Sequence, residues 1–274
     1  MLRFHCVYAY LFETPPPPKS EKMRRYSNAP HPFVLWPERD QETILTPGKS
    51  HAVNLTLIGR ANDHLPQIAH SLADAGKHGI GADKGQLKLS RLDYWDFQGS
   101  IWRQVEGYPK RISPISPVFP EQPACPASVR VQLLSPLRIS YEDPSDTTSG
   151  RSRKKIVSRE ELQFHHFFRN ILRRISMLRY FHTDQPLETD FSALTQASRM
   201  MEFQKTELKW QDWSRYSNRQ HRKVPMGGVM GYFEVGGNLL GHFWPYLWAG
   251  QWVHAGKGAS MGMGRYRLLP LESL

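Results

Sequence analysis

Only two of the 274 residues are cysteine, Cys6 and Cys125. Two thiols cannot build a disulfide framework or a four-cysteine zinc site. No run of about 18 apolar residues occurs, so no membrane-spanning helix is expected. The opening residues lack the apolar region and small-residue cleavage site of a secretory signal, and the expected compartment is the cytoplasm. Twelve histidines are present, yet no HExxH pattern and no His/Cys quartet appears, so neither a metal nor a cofactor is expected. Negative charge is also short: 25 Asp and Glu stand against 36 Lys and Arg, a net of +11, with an isoelectric point of about 9.7. Such a chain suits a polyanionic partner, most commonly a nucleic acid. Hydrophobic residues make up 39% and aromatics 12%, enough for a packed core and too much for wholesale disorder.

Prolines punctuate the chain. Pro15 to Pro18 close the opening segment, and a basic, loop-like stretch follows over 19–32. Strands are expected at Phe33–Trp36, His51–Ile58 and Gly85–Leu92, with a helix over 64–76 that starts near Pro66 and stops at Gly76 and Gly79. Pro114, Pro117, Pro120, Pro123 and Pro126 recur every third residue, the period of a polyproline II edge. This spacing sets the expected division: a first domain over 1–112, a linker over 113–127 and a second domain over 128–274. The second domain opens with an alternating strand, Ser128–Ser140. A helix follows over 159–181, with Phe164, Phe167, Phe168, Ile171, Ile175 and Leu178 on one arc and Arg159, Arg169 and Arg173 on the other. A shorter helix is expected over 190–204, then strands at Val229–Val235 and Arg265–Leu269. The mixture predicts an α+β fold with helices on one face of a sheet.

Charge concentrates in the second domain. From Arg151 to Arg179 nine Lys and Arg, including Arg153, Lys154, Lys155 and Arg159, face two glutamates, a net of +7. Helical arginines suit phosphate contacts, although a solvated helix face would look the same. A second cluster interleaves Trp210, Trp213 and Tyr216 with Arg215, Arg219, Arg222 and Lys223. Aromatics among arginines can stack bases; for Trp210 and Trp213 burial in the core is the favoured alternative. The glycine-rich segment 256–264, with Lys257 inside it and Arg265 after it, is not a Walker A loop, because no Lys-Ser/Thr pair closes it. Its glycines allow a close backbone approach to RNA, with Lys257 and Arg265 on phosphate; a tight turn before a terminal strand is compatible with that. Among the histidines, His31 is singled out because it sits in Ala29-Pro-His-Pro-Phe beside Arg24 and Arg25.

Taken in order, these segments resemble a family. Pro30-His-Pro-Phe-Val-Leu35, Leu55-Thr-Leu-Ile-Gly59-Arg60-Ala61 and Gly76 to Gly81 resemble the N-terminal half of CRISPR repeat-RNA processing endoribonucleases of the RAMP superfamily. Ser135-Pro-Leu-Arg138-Ile, Leu172-Arg-Arg-Ile175, Trp210-Gln-Asp-Trp213-Ser-Arg215, Gly227-Gly228 with Gly231, and His254-Ala-Gly256-Lys257 through Gly264-Arg265-Tyr266 resemble its second half. The resemblance spans roughly 8–269 and implies two tandem ferredoxin-like domains. It further implies metal-independent cleavage of the repeat in a precursor transcript. The 2′-hydroxyl would attack the neighbouring phosphate, leaving a 2′,3′-cyclic phosphate and a 5′-hydroxyl, and the product would stay bound. Cys6-Val-Tyr-Ala-Tyr10 resembles the end of the family's opening segment, so the first domain is expected to be N-terminally shortened, as in the divergent nucleases of type IV systems.

The expected partners are repeat hairpin RNA, the mature crRNA and other CRISPR effector subunits. Cleavage needs a base, an acid and stabilisation of a dianionic phosphorane. Arg24, Arg25 and Arg39 are the candidates for phosphate stabilisation, and His31 for acid/base work. The candidate RNA contacts are Arg153, Lys154, Lys155, Arg159, Arg169, Arg173, Arg215, Arg219, Lys257 and Arg265. The alternative function is a non-catalytic RAMP subunit that binds guide RNA; a third is a basic scaffold for protein or DNA.

Overall fold

The computed structural model describes residues 6–14, 29–37, 46–81, 83–108, 110–116, 118–142, 154–217 and 221–271. Its elements run β1 (Phe33–Pro37), β2 (Val53–Leu57), α1 (Leu65–His78), β3 (Asp93–Asp96), β4 (Ile101–Gln104), β5 (Ser128–Leu137), β6 (Ser140–Glu142), β7 (Lys154–Ile156), α2 (Phe164–His182), α3 (Phe191–Arg199), β8 (Lys205–Gln211), β9 (Ser214–Ser217), β10 (Arg222–Pro225), β11 (Gly228–Gly236), α4 (Leu240–Val253) and β12 (Tyr266–Pro270). The chain forms two compact units, Met1–Pro32 with Leu57–Gln122, and Phe33–Thr56 with Pro123–Leu274. Residues 33–56, which the sequence pattern groups with the first domain, thus cluster with the second unit.

In the second unit a four-stranded antiparallel sheet runs in the order β12-β5-β11-β8. The chain order is strand, helices, strand, strand, helix, strand, which is the split βαβ arrangement of ferredoxin-like folds. Alternation in β5 explains the layering. Val129, Val131 and Leu133 point to the core and are at most 1% exposed, while Arg130 and Gln132 point away and bond Glu234 and the Gly231 carbonyl. The apolar arc of α2 meets that inner face: Phe167 packs edge-on to Phe233 at 5.2 Å, and Phe168 to Phe243 at 4.6 Å. Full burial of one such ring contributes roughly 1.5–3 kcal/mol. Helix α4 fills the rest of the core with Leu240, Phe243, Trp244 and Leu247.

The helix expected from 159 begins at Phe164. Ser158 and Glu161 bond each other's backbone in a turn, and Gln163 and His166 form a capping box, so the first helical residue comes after them. Arg159 therefore precedes the helix, paired with Glu160.

The first unit holds a π-helical turn at Ala9–Glu13, a 3-10 turn at Gly59–His64, α1, and the β3–β4 hairpin. The expected strand at Gly85–Leu92 does not form. After an isolated bridge between Ile80 and Gly85, the Leu87 N–H donates to the Gly76 carbonyl at the end of α1. That backbone satisfies a helix terminus and does not enter a ladder.

Candidate functional site

One candidate site lies in the first unit, around the π-helical turn. The turn ends at Thr14, whose φ is +43°. Thr14 Oγ1 donates to the Ala29 carbonyl at 2.7 Å, and the Ala29 N–H donates to the Thr14 carbonyl at 3.0 Å. Two residues beyond this clamp, His31 is half-buried, with Nδ1 3.1 Å from the Leu11 carbonyl oxygen. A carbonyl can only accept, so Nδ1 carries the proton and Nε2 is the basic nitrogen of the neutral ring. Arg24 and Arg25, which lie between Thr14 and Ala29 in sequence, and Arg39 fall outside the described residues.

A second histidine joins this site. His64 precedes α1 with φ −99° and ψ 9°, the bridge region in which many active-site residues sit. Its ring meets Tyr10 edge-on, with centroids 5.6 Å apart. Tyr10 adjoins Leu11, so two histidines are anchored on consecutive residues of one turn. Sequence reasoning missed His64, since its only signal is a position just ahead of a proline-started helix.

The basic candidates in the second unit separate by exposure. Arg169 and Arg173 are exposed on α2, away from the core arc. Lys155 is exposed on β7, which also carries Lys154. Arg215 stands on β9 opposite Val224 of β10. Arg153 and Arg219 lie outside the described residues, as do the side chains of Lys154 and Arg215. Lys257 is exposed, its backbone N–H held by the Arg138 carbonyl at 2.7 Å. Burial of Trp210 and Trp213 does not occur: they are 38% and 43% exposed, and Tyr216 is 58% exposed. The core between sheet and helices is already filled by phenylalanines from α2 and α4, and Trp210 instead donates its Nε1–H to Asp212.

The glycine-rich segment packs back onto the sheet. Gly262 and Gly264 have φ of +81° and +64°. A Cβ on Gly262 would stand 2.7 Å from the Trp36 Cβ, so only glycine lets this turn lie against β1. Buried Ser135 fastens it, donating to the Gly262 carbonyl at 2.7 Å and accepting from the Arg265 N–H at 2.8 Å. The Arg265 guanidinium then lies over the Trp36 ring.

At the base of this segment sits His254, which is not among the sequence-predicted site residues. It is 1% exposed, with φ +61° and ψ 167°, a region held almost only by glycine. Its Nδ1 has no hydrogen-bond partner. Burial, then the positive charges of Arg174 and Arg265, push its pKa down to about 3. Arg174 Nε donates to the Val253 carbonyl at 2.5 Å, while its shielded Nη2 has no partner; burial lowers its pKa to about 10, so it stays charged at neutral pH. His165, at the start of α2, is pushed down to about 4 by burial and by His166, Arg169 and Arg199. Among the described residues no group of three His, Cys, Asp or Glu is arranged to hold a metal ion, and no helix is long and apolar enough to cross a membrane.

Two family models match the chain. One, AF_1859_N, is described as an N-terminal domain and matches residues 1–113; the other, CRISPR-associated endoribonuclease Cas6, matches residues 131–266. No curated protein matches. Among solved structures, the Cas6 (TTHB231) product complex is similar with a TM-score of 0.60 at 15% identity, covering 97% of this chain and 91% of that one; TTHB231 is a Thermus thermophilus Cas6. A second Cas6 product complex (TTHA0078) is similar at 14% identity with a TM-score of 0.47, covering 98% and 91%. The first likeness establishes a two-domain ferredoxin-like fold.

Proposed function

Because the chain belongs to the RAMP-type Cas6 endoribonuclease family, we propose that it cleaves CRISPR repeat RNA in a precursor transcript to give the mature guide RNA. The observation that carries this reading is the family match over 131–266, which spans the sheet, α2 and the glycine-rich segment.

The chemistry is intramolecular transesterification. His31 Nε2 takes the proton of the 2′-hydroxyl, since Nδ1–H is committed to the Leu11 carbonyl. The 2′-oxygen bonds to phosphorus, and the bond to the 5′-oxygen breaks. That oxygen takes a proton, for which His64 is the candidate donor. The products are a 2′,3′-cyclic phosphate and a 5′-hydroxyl, and no metal takes part. Arg24, Arg25 and Arg39 stabilise the dianionic phosphorane with forked N–H donors. In the second unit, Arg153, Lys154, Lys155, Arg169, Arg173, Lys257 and the Arg215–Arg219 segment hold the RNA backbone, and Trp210, Trp213 and Tyr216 offer faces to unpaired bases. Retention of the product in an effector complex fits this division between a cutting unit and a holding unit.

Purified protein, the repeat RNA of its own locus and EDTA test the proposal. A parallel RNA carries one 2′-deoxy nucleotide before the cut. Scission of the ribose substrate alone supports metal-independent transesterification. Tight binding with no scission assigns the chain to guide-RNA binding without catalysis, and failure to bind overturns the RNA reading.

A further inference from the structure

Next to the glycine-rich segment, the second unit carries a pocket of about 230 Å³ that the proposed cleavage does not use. Trp36, Thr56, Trp252, His254, Arg265 and Arg267 are among its lining residues, and none of the described lining residues is acidic. Arg265 immediately precedes β12 and Arg267 is its second residue, and both line the pocket. One wall is the stacked pair of Arg265 and Trp36. His254 also lines the pocket, in a strained backbone conformation that persists only where the surroundings over-determine it. The wall is therefore built rather than incidental: Gly262 admits Trp36, Ser135 fastens the turn, and the strained residue closes the side.

Size and chemistry narrow the occupant. Sites for drug-sized ligands run from about 300 to 1,000 Å³, so this pocket takes something smaller, and a duplex cannot enter it. Aromatic and guanidinium planes are the surfaces on which unstacked RNA bases settle. Arginine forks match phosphate oxygens, and Arg265 and Arg267 both line the pocket.

We propose that this pocket receives one unpaired nucleotide of the bound RNA, with its base among Trp36, Thr56 and Trp252 and its phosphate on Arg265 and Arg267. The inference rests on the RNA-processing reading above. Drawing a base from a stack is costly, and least so where the base is already unpaired. The pocket therefore fixes the register of the RNA on the protein at a single-stranded position.

The test is an abasic scan. Each nucleotide of the locus's own repeat RNA is replaced in turn by an abasic residue, and the Kd is measured for the full chain and for Thr56→Phe, which fills the pocket from β2. The expected result is one position where loss of the base weakens binding about tenfold, the scale of one stacked base, with that penalty absent in Thr56→Phe. As a readout that needs no variant, 4-thiouridine at the sensitive position crosslinks on irradiation to Trp36 or Trp252, located by mass spectrometry. Arg267→Ala, on an exposed side chain, weakens all RNAs alike and lowers the salt slope. A flat scan on RNA that is bound and cut overturns the pocket alone, as does an abasic profile unchanged in Thr56→Phe. Absence of RNA binding overturns both the pocket and the reading on which it rests.

Discussion

The guanidinium carbon of Arg265 lies 3.5 Å from the centroid of the Trp36 ring. One residue leaves the glycine-rich segment and the other stands on β1, and they meet because Gly262 has no side chain to hold them apart. A cation over an indole face contributes about 0.5–1 kcal/mol where exposed and about 2 when desolvated. The contact ties the start of β12 to a strand from the first quarter of the chain.

Gly262→Ala breaks that tie in two ways, by a Cβ that meets the Trp36 Cβ at 2.7 Å and by the strain of a positive φ. A loss of about 1–3 kcal/mol is expected, or roughly 2–4 °C of melting temperature per kcal/mol in a chain of this size. Differential scanning fluorimetry checks the first, and a shift in tryptophan emission reports the displacement of Trp36. An unchanged melt and spectrum would mean that the turn absorbs the methyl group.

His31→Ala removes the proposed base without touching the RNA contacts of the second unit. Single-turnover cleavage is expected to slow by about 10²–10⁴-fold, with affinity for a non-cleavable 2′-deoxy substrate unchanged. His64→Ala, tested beside it, is expected to slow cleavage in the same assay. Equal rates in wild type and both variants would move the chemistry to other residues.

Arg169 and Arg173 are exposed on the outer face of α2. If they contact phosphate, each releases counterions on binding. Alanine at both is expected to flatten the dependence of log K on log salt by about 0.7–0.9 per lost contact. Affinity measured across a salt series decides it, and a parallel shift with the same slope would remove α2 from the interface.

The exposed aromatics give a contrast between two physical readings. Trp210→Ala and Trp213→Ala should each leave stability within about 0.5 kcal/mol, as surface changes do, and weaken single-stranded RNA binding by about 1–3 kcal/mol per stacked base. Core tryptophans would instead cost about 3–5 kcal/mol of stability on truncation. Chemical denaturation and RNA titration of the same variants separate the outcomes.

Stability is expected to fall in mild acid. His165 and His254 have folded pKa values of about 4 and about 3, below the unfolded value near 6.5. Between those values the unfolded chain binds more protons than the folded one, so stability rises with pH through this window and is lost as pH falls from about 6.5 towards 4. His165→Gln should reduce that dependence in urea titrations across pH 4–7, and an equally steep profile would remove His165 from the linkage.

What the sequence by itself determined follows from periodicity and composition. Alternation in β5, the 3.6-residue arc of α2 and the closing strand are local patterns, and each falls within a few residues of its predicted place. Net charge indicated a polyanionic partner, and the order of motifs indicated the family. Tertiary structure alone decided the rest. The exposure of Trp210 and Trp213 depends on how much core the phenylalanines of α2 and α4 already fill, which no local pattern states. The start of α2 was set by a Gln163–His166 capping box rather than by the preceding charges. The Gly85–Leu92 segment alternates like a strand, yet its backbone serves the end of α1. His64 lies in no motif, and the motifs that contain Arg174 and His254 do not state what these residues do, because their chemistry comes from what surrounds them: a carbonyl, a buried charge, an aromatic ring. Such surroundings join residues distant in sequence, and they exist only once the chain has closed on itself.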